Sequence, residues 1–164
     1  MKPPPRSGGQ GSPQSKLAKY RSRVEDLYET AEAWANEWSP KATTRRVEVE
    51  VNELPIGVYT IDALDIELPG LKRPVRLRPA GCFVVGAEGK IDVESLAGRE
   101  TLVFLADGEP AMTVQIASAR GTARTGGARR ETADGWVWVQ NRLMGLFPTV
   151  NDDLMRRIVE VLGR

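Results

Sequence analysis

Leu17, Tyr20, Val24, Leu27, Ala31, Trp34 and Trp38 recur at alternating steps of three and four. This is the spacing of a helix with one apolar seam, and it commits the chain to burying that seam on something. The pattern predicts a helix over 16–38, capped by Ser15 and stopped at Ser39-Pro40, where proline cannot continue it. A seam this short packs on a sheet of its own chain more readily than it forms a free coiled coil. Its charges set a second condition. Lys16, Lys19, Arg21 and Arg23 fill the first half, and Glu25, Asp26, Glu29, Glu32 and Glu37 the second. That order opposes the helix dipole, so it is expected to serve an anionic partner or an antiparallel copy of the same helix.

Past residue 40 the period changes from helical to alternating. Val47, Val49 and Val51 alternate with Glu48, Glu50 and Asn52. Leu64, Ile66 and Leu68 alternate with Asp65 and Glu67, and Val75 and Leu77 with Arg76 and Arg78. Each run reads as a half-buried antiparallel strand with its charges in solvent, and acidic and basic strands side by side would pair across the sheet. Cys82 to Val85 is continuously apolar and is expected to be the most buried strand, followed by a turn at 86–89. Lys90 to Glu94, Glu100 to Ala106 and Ala111 to Ala117 continue the series, with Asp107-Gly108 as a hairpin signal. Trp136 to Gln140 closes it, with both tryptophans on one face. Thr149 and Asp152 suggest a capping box for a last helix, whose Leu154, Ile158 and Val161 share a face before Gly163. The fold class is α+β: an N-terminal amphipathic helix, an antiparallel meander of about six to eight strands, and a short C-terminal helix.

Two segments stand apart. Residues 1–15 are Pro, Gly, Ser and Gln-rich and read as a disordered basic arm, whose Pro3-Pro4-Pro5-Arg6 could dock in an aromatic groove. The remainder, 16–164, reads as one domain with a mobile loop at 118–135 carrying Arg120, Arg124, Arg129 and Arg130. The net charge of +1 hides a segregation: residues 1–23 hold six bases and no acid, while 47–117 hold twelve acids against six bases. The chain is thus an acidic body with basic arms.

There is no histidine, which removes the commonest general base and the Ser-His and Cys-His nucleophiles. Cys82, the single cysteine, reads as a small buried apolar residue. Asp62, Asp65, Asp92 and Glu94 could in principle gather for magnesium or acid–base work, but the alternation sends them to solvent and their spacing matches no loop motif. Gly86 to Gly89 and Gly121 to Gly127 lack the cations of phosphate-binding loops. No catalytic residue, metal site or cofactor is expected. With no long apolar run and no leader-like segment, a cytoplasmic location is expected.

The function expected is a non-catalytic protein-interaction module, an adaptor or accessory subunit of a larger, bacterial-type assembly. It would meet a protein partner, or a second copy, through the helix at 16–38. Arg21, Arg23, Trp34, Trp38, Arg120, Arg124, Arg129 and Arg130 are the candidate partner-binding residues. The alternative is nucleic-acid binding by the basic arm and arginine-rich loop, with Trp136 and Trp138 as stacking platforms. A more economical role for the tryptophans is to meet where the first helix lies on the sheet. A third reading is a small-ligand pocket between sheet and helix.

Overall fold

The computed structural model describes residues 11–106, 134–140 and 146–164. Its elements are α1 (Pro13–Glu37), β1 (Thr43–Glu53), β2 (Gly57–Glu67), β3 (Val75–Gly81), β4 (Lys90–Ser95), β5 (Gly98–Leu105), β6 (Gly135–Trp138) and α2 (Asp152–Gly163). The strands pair antiparallel in sequence order, β1-β2-β3-β4-β5-β6, and both helices pack on one face. The expected strand at 111–117, the hairpin at 107–108 and the arginine loop fall outside the described residues, apart from Asp134 and Gly135.

α1 begins three residues earlier than the periodicity suggested. Ser12 is the cap, its hydroxyl accepting from Ser15 N–H at 3.2 Å, and Pro13 occupies the first turn. Proline suits that position because its missing N–H would have no helical partner there. The buried stripe is Tyr20, Val24, Leu27, Tyr28, Ala31 and Ala35. It is wider than a heptad seam because Tyr28 and Ala35 join it, and a wide stripe matches a sheet better than a second helix. Opposite it lie Leu64, Ile66, Val75, Leu77, Ile91, Val93 and Leu102, all fully buried. Each such side chain contributes about 1.5–3 kcal/mol through burial.

The reversed charge order of α1 is answered within the chain. Arg46 of β1 holds Glu32 at 2.7 Å and Glu25 at 2.9 Å, so the acidic half has its cation in the sheet. In the basic half, Lys16 lies over the Phe83 ring, Arg21 over Tyr59 and Arg23 over Phe104, and Arg23 also pairs with Glu88 at 2.6 Å. The tertiary contacts outweigh the dipole, whose effect is about 0.3–1 kcal/mol per exposed charge.

Pro79 sits inside β3, a central strand, where it removes a ladder donor. The register shifts between Pro79 and Gly81. Tyr20 of α1 serves this bulge: its hydroxyl donates to Lys90 O at 2.6 Å and accepts from Ala80 N–H and Gly81 N–H at 3.2 and 3.3 Å. The helix is thereby tied to the one irregularity of the β3–β4 pairing. Tyr28 makes a second tie to the same strand, donating to Leu77 O at 2.8 Å.

Three other expectations are corrected. Cys82 to Val85 is not a buried strand: Gly81, at φ +134°, ends β3, and the run turns back through a Val84–Ala87 bridge with Val85 in solvent. The cap of α2 is Asn151, accepting from Leu154 N–H at 2.9 Å, rather than a Thr149–Asp152 box; Asp152 instead receives the Trp38 indole N–H at 2.6 Å. The inner face of α2 is Met155, Ile158, Val159 and Leu162, turned from the predicted one so that Val161 is exposed.

Candidate functional site

On the sheet face away from the helices, the strand registers align five charged residues in one row. Arg45 of β1 opposes Asp65 of β2, which opposes Arg76 of β3, then Glu94 of β4 and Arg99 of β5. The signs alternate at every step. Arg76 binds Asp65 through two nitrogens at 2.6 and 2.9 Å, Arg45 reaches the same carboxylate at 3.2 Å, and Arg99 reaches Glu94 at 3.2 Å. One residue pair further along, Asp92 is flanked by Lys90 at 3.2 Å, Arg99 at 3.7 Å and the Thr101 hydroxyl at 3.4 Å.

The expectation that Asp65 and Asp92 face solvent is therefore overturned. They are only 5 % and 8 % exposed, because the long arginine stems of neighbouring strands lie over them. The Arg76 bonds, with help from Arg45, hold the Asp65 carboxyl below its ordinary range against the opposing effect of burial. Asp62 and Glu48, by contrast, oppose each other directly between β1 and β2 on the helix side, both exposed.

Around the row lies a depression of about 800 Å³ lined by Arg45, Arg73, Arg76, Arg99 and the exposed Leu96, with Asp65 and Glu94 as its acids. The space between α1 and the sheet, to which the third, small-ligand reading pointed, is occupied by the buried stripe of the helix. A smaller depression of about 210 Å³ at its margin is lined by Arg21, Glu25, Glu48, Thr60 and Asp62.

A second feature lies at the far end of the β1–β2 hairpin. The Glu53 carboxylate accepts from Cys82 N–H at 3.0 Å, from the Cys82 thiol at 3.0 Å and from the Tyr59 hydroxyl at 3.3 Å. Gly81 makes this possible: a Cβ there would stand 1.9 Å from Glu53 Oε2. Burial, followed by the bond to Glu53, pushes the Cys82 thiol up to about 12. The two loops fastened in this way carry four large apolar side chains in solvent: Leu54 at 87 %, Val58 at 62 %, Phe83 at 37 % and Val85 at 90 % exposure. The continuously apolar run at 82–85 reads as core in the sequence, which hides the exposure of Phe83 and Val85.

The predicted site residues are scattered. Arg21 and Arg23 sit on α1 against aromatic rings, and Trp34 packs half-buried on the core. Trp38 is buried against α2. Trp136 donates to Arg23 O at 3.2 Å and meets Phe104 edge-on at 5.5 Å, while Trp138 donates to Glu100 at 2.8 Å. The two tryptophan pairs thus have different neighbours: one lies under α1, and the other reaches α2. Arg120, Arg124, Arg129 and Arg130 lie outside the described residues.

Among the described residues, no group of three or more Asp, Glu or Cys side chains could hold a metal ion, and no helix is long and apolar enough to cross a membrane. The resolved shifts of acidic, thiol and phenol groups all run away from neutrality: Asp65 downward, and Cys82, Tyr20, Tyr28 and Tyr59 upward. Comparison with protein-family models, with curated proteins and with solved structures gave no match.

Proposed function

We propose that the protein is a non-catalytic interaction module, a cytoplasmic adaptor or accessory subunit that holds a partner protein at the hairpin end of its sheet. The observation that carries this reading is the fixed exposure of Leu54, Val58, Phe83 and Val85 on two loops that Glu53 locks together. Large apolar side chains held out in solvent by bonds on their inner side are what a partner's apolar surface would bury. The basic half of α1 begins beside them, with Lys16 over Phe83, so an acidic rim on the partner would complete the contact.

The test compares wild type with a Leu54→Ser/Val85→Ser variant by cross-linking in the native cell and mass spectrometry. A defined partner, cross-linked through residues 54–58 or 83–85 in the wild type and lost in a variant of unchanged melting temperature, is the expected result. The same cross-links in both proteins, or none at these loops, would refute it. Nucleic-acid binding has one specific observation in its favour, the four arginines of the large depression. Arg45, Arg76 and Arg99 are already ion-paired with the sheet's own carboxylates, which weakens their call on a phosphate chain. Steeply salt-dependent oligonucleotide binding would reverse that ranking.

A further inference from the structure

The two edges of the sheet are treated differently. β6 is met by the segment before α2: Trp138 N–H donates to Pro148 O at 2.9 Å, Val150 N–H to Trp136 O at 3.0 Å, and Val137 bridges Thr149. β1 runs for 11 residues, roughly 37 Å, and is paired along one side alone, to β2. Among the described residues, none outside β2 makes a backbone bond to it. A strand this long with open N–H and C=O groups is a template for a further strand unless its charges forbid one.

Centres near the ends of β1, at Thr44, Val51 or Asn52, pair only a few residues; among the centres that overlap most of the strand, Arg46 to Val49, the charges permit one. A two-fold axis that places β1 antiparallel beside a second β1 must stand perpendicular to the sheet. It therefore keeps each sheet face on its own side and passes through a residue, not between two. Centred on Arg46, the pairing sets Arg46 against Arg46; centred on Glu48, Glu48 against Glu48; centred on Val49, Glu48 against Glu50 twice. Like charges directly opposed destabilise a sheet. Centred on Val47, Arg46 of each copy opposes Glu48 of the other, Thr44 opposes Glu50, Arg45 opposes Val49, and Val47 meets Val47. No like charges are opposed. The same register sets an arginine beside Glu48, whose neighbour within its own hairpin is Asp62, a like charge left exposed.

We infer that the protein forms a homodimer by antiparallel β1–β1 pairing about Val47, joining two six-stranded sheets into one of twelve with all four helices on the same face. This assembly rests on β1 and not on the partner at the hairpin tip, and its two-fold axis points the two tips in opposite directions along the joined strands.

The test uses the full chain. Sedimentation is expected to give twice the 18.0 kDa chain mass. A Val47→Cys variant should form a disulfide across the axis under mild oxidation, because directly opposed strand residues lie ~4.5–5.5 Å apart, within disulfide reach. A Val49→Cys variant should not, since its neighbour is Arg45 of the second copy. Cys82 is buried, and wild type serves as the control for it. Glu48→Lys should weaken the dimer about tenfold or more, because two attractive pairs become two repulsive ones, while its new pairing with Asp62 keeps the monomer folded. A wild type that is monomeric at ~100 µM, well above the dissociation constant of a micromolar dimer, would overturn the inference. So would cross-linking at position 49 that matches or exceeds that at 47, or a Glu48→Lys protein that dimerises like wild type.

Discussion

Tyr20→Phe and Tyr28→Phe delete the same atom from two fully buried rings of one helix, yet their costs should differ widely. Tyr28 donates one hydrogen bond, to Leu77 O, and a carbonyl oxygen can take a second bond from elsewhere. Its loss should cost about 1 kcal/mol, the usual net worth of one hydrogen bond. Tyr20 serves three backbone groups that the bulge at Pro79 has released from the ladder: Lys90 O, Ala80 N–H and Gly81 N–H. Removing its oxygen strands them in the interior, at about 1 kcal/mol or more apiece, so Tyr20→Phe should cost about 3 kcal/mol. Both rings stay buried in either variant, so the hydrophobic contribution cancels in the comparison. Urea unfolding followed by tryptophan fluorescence would measure both costs, with unchanged slopes showing that the folded and unfolded states keep their compactness. At about 2–4 °C per kcal/mol for a chain of this size, the melting temperatures should separate as well. If Tyr28→Phe proves as costly as Tyr20→Phe, the account of the bulge as a set of groups waiting for a helix hydroxyl is wrong.

The Asp65 carboxyl is held below its ordinary value in the folded state, so its contribution to stability is fully present above the unfolded value of about 3.9 and is lost as pH falls through the folded one. An Asp65→Asn protein should accordingly be less stable at neutral pH but show a flatter loss below about pH 4, measured as melting temperature against pH. Cys82, buried and with its thiol pushed up to about 12, should resist an aromatic disulfide reagent at pH 8 until denaturant is added; rapid labelling of the native protein would show that the loop at 82–85 opens. Gly81→Ala forces a Cβ into the Glu53 carboxylate at a positive φ, so it should cost about 1–3 kcal/mol in urea unfolding. It should also make Cys82 reactive, because Glu53 must leave its place. A Gly81→Ala protein with wild-type stability and an unreactive thiol would contradict the role given to this glycine.

The α+β architecture was readable because each element carries its own period: α1 repeats at three and four, and β1 to β4 alternate. The faces of those elements were read less well. Asp65 alternates outward by period two and does lie on the face away from the helices. The meander and the pairing of an acidic with a basic strand are legible, and Asp65 with Arg76 fits them; that Arg45 and Arg76 together cover the carboxylate and bury it is not written in the local period. Cys82 to Val85 has the composition of core, but the bulge after Pro79 and the left-handed Gly81 decide its direction, and both depend on Tyr20 and Glu53, 29 to 61 residues away. The face of α2 slipped for a simpler reason. Leu154-Ile158-Val161 and Met155-Ile158-Leu162 are both helical spacings, and only contact with the sheet selects the second. The split charge of α1 is plain in the sequence, but its explanation in Arg46 and three aromatic rings lies wholly in tertiary structure.

The position of α1 also sets a timetable for synthesis. Every strand pairs with its neighbour in sequence, so each hairpin can close soon after its second strand leaves the ribosome. The helix emerges before any of them, and its attachments come late: Tyr28 to Leu77 spans 49 residues, Arg23 to Trp136 spans 113, and Trp38 to Asp152 spans 114. At about 5–20 residues per second, the last of these waits roughly 6–23 s after Trp38 is made. Through that interval Tyr20 and Tyr28 of the stripe, with Trp34 and Trp38 at its end, have no finished sheet to lie on, and they would be the natural footing for a nascent-chain chaperone.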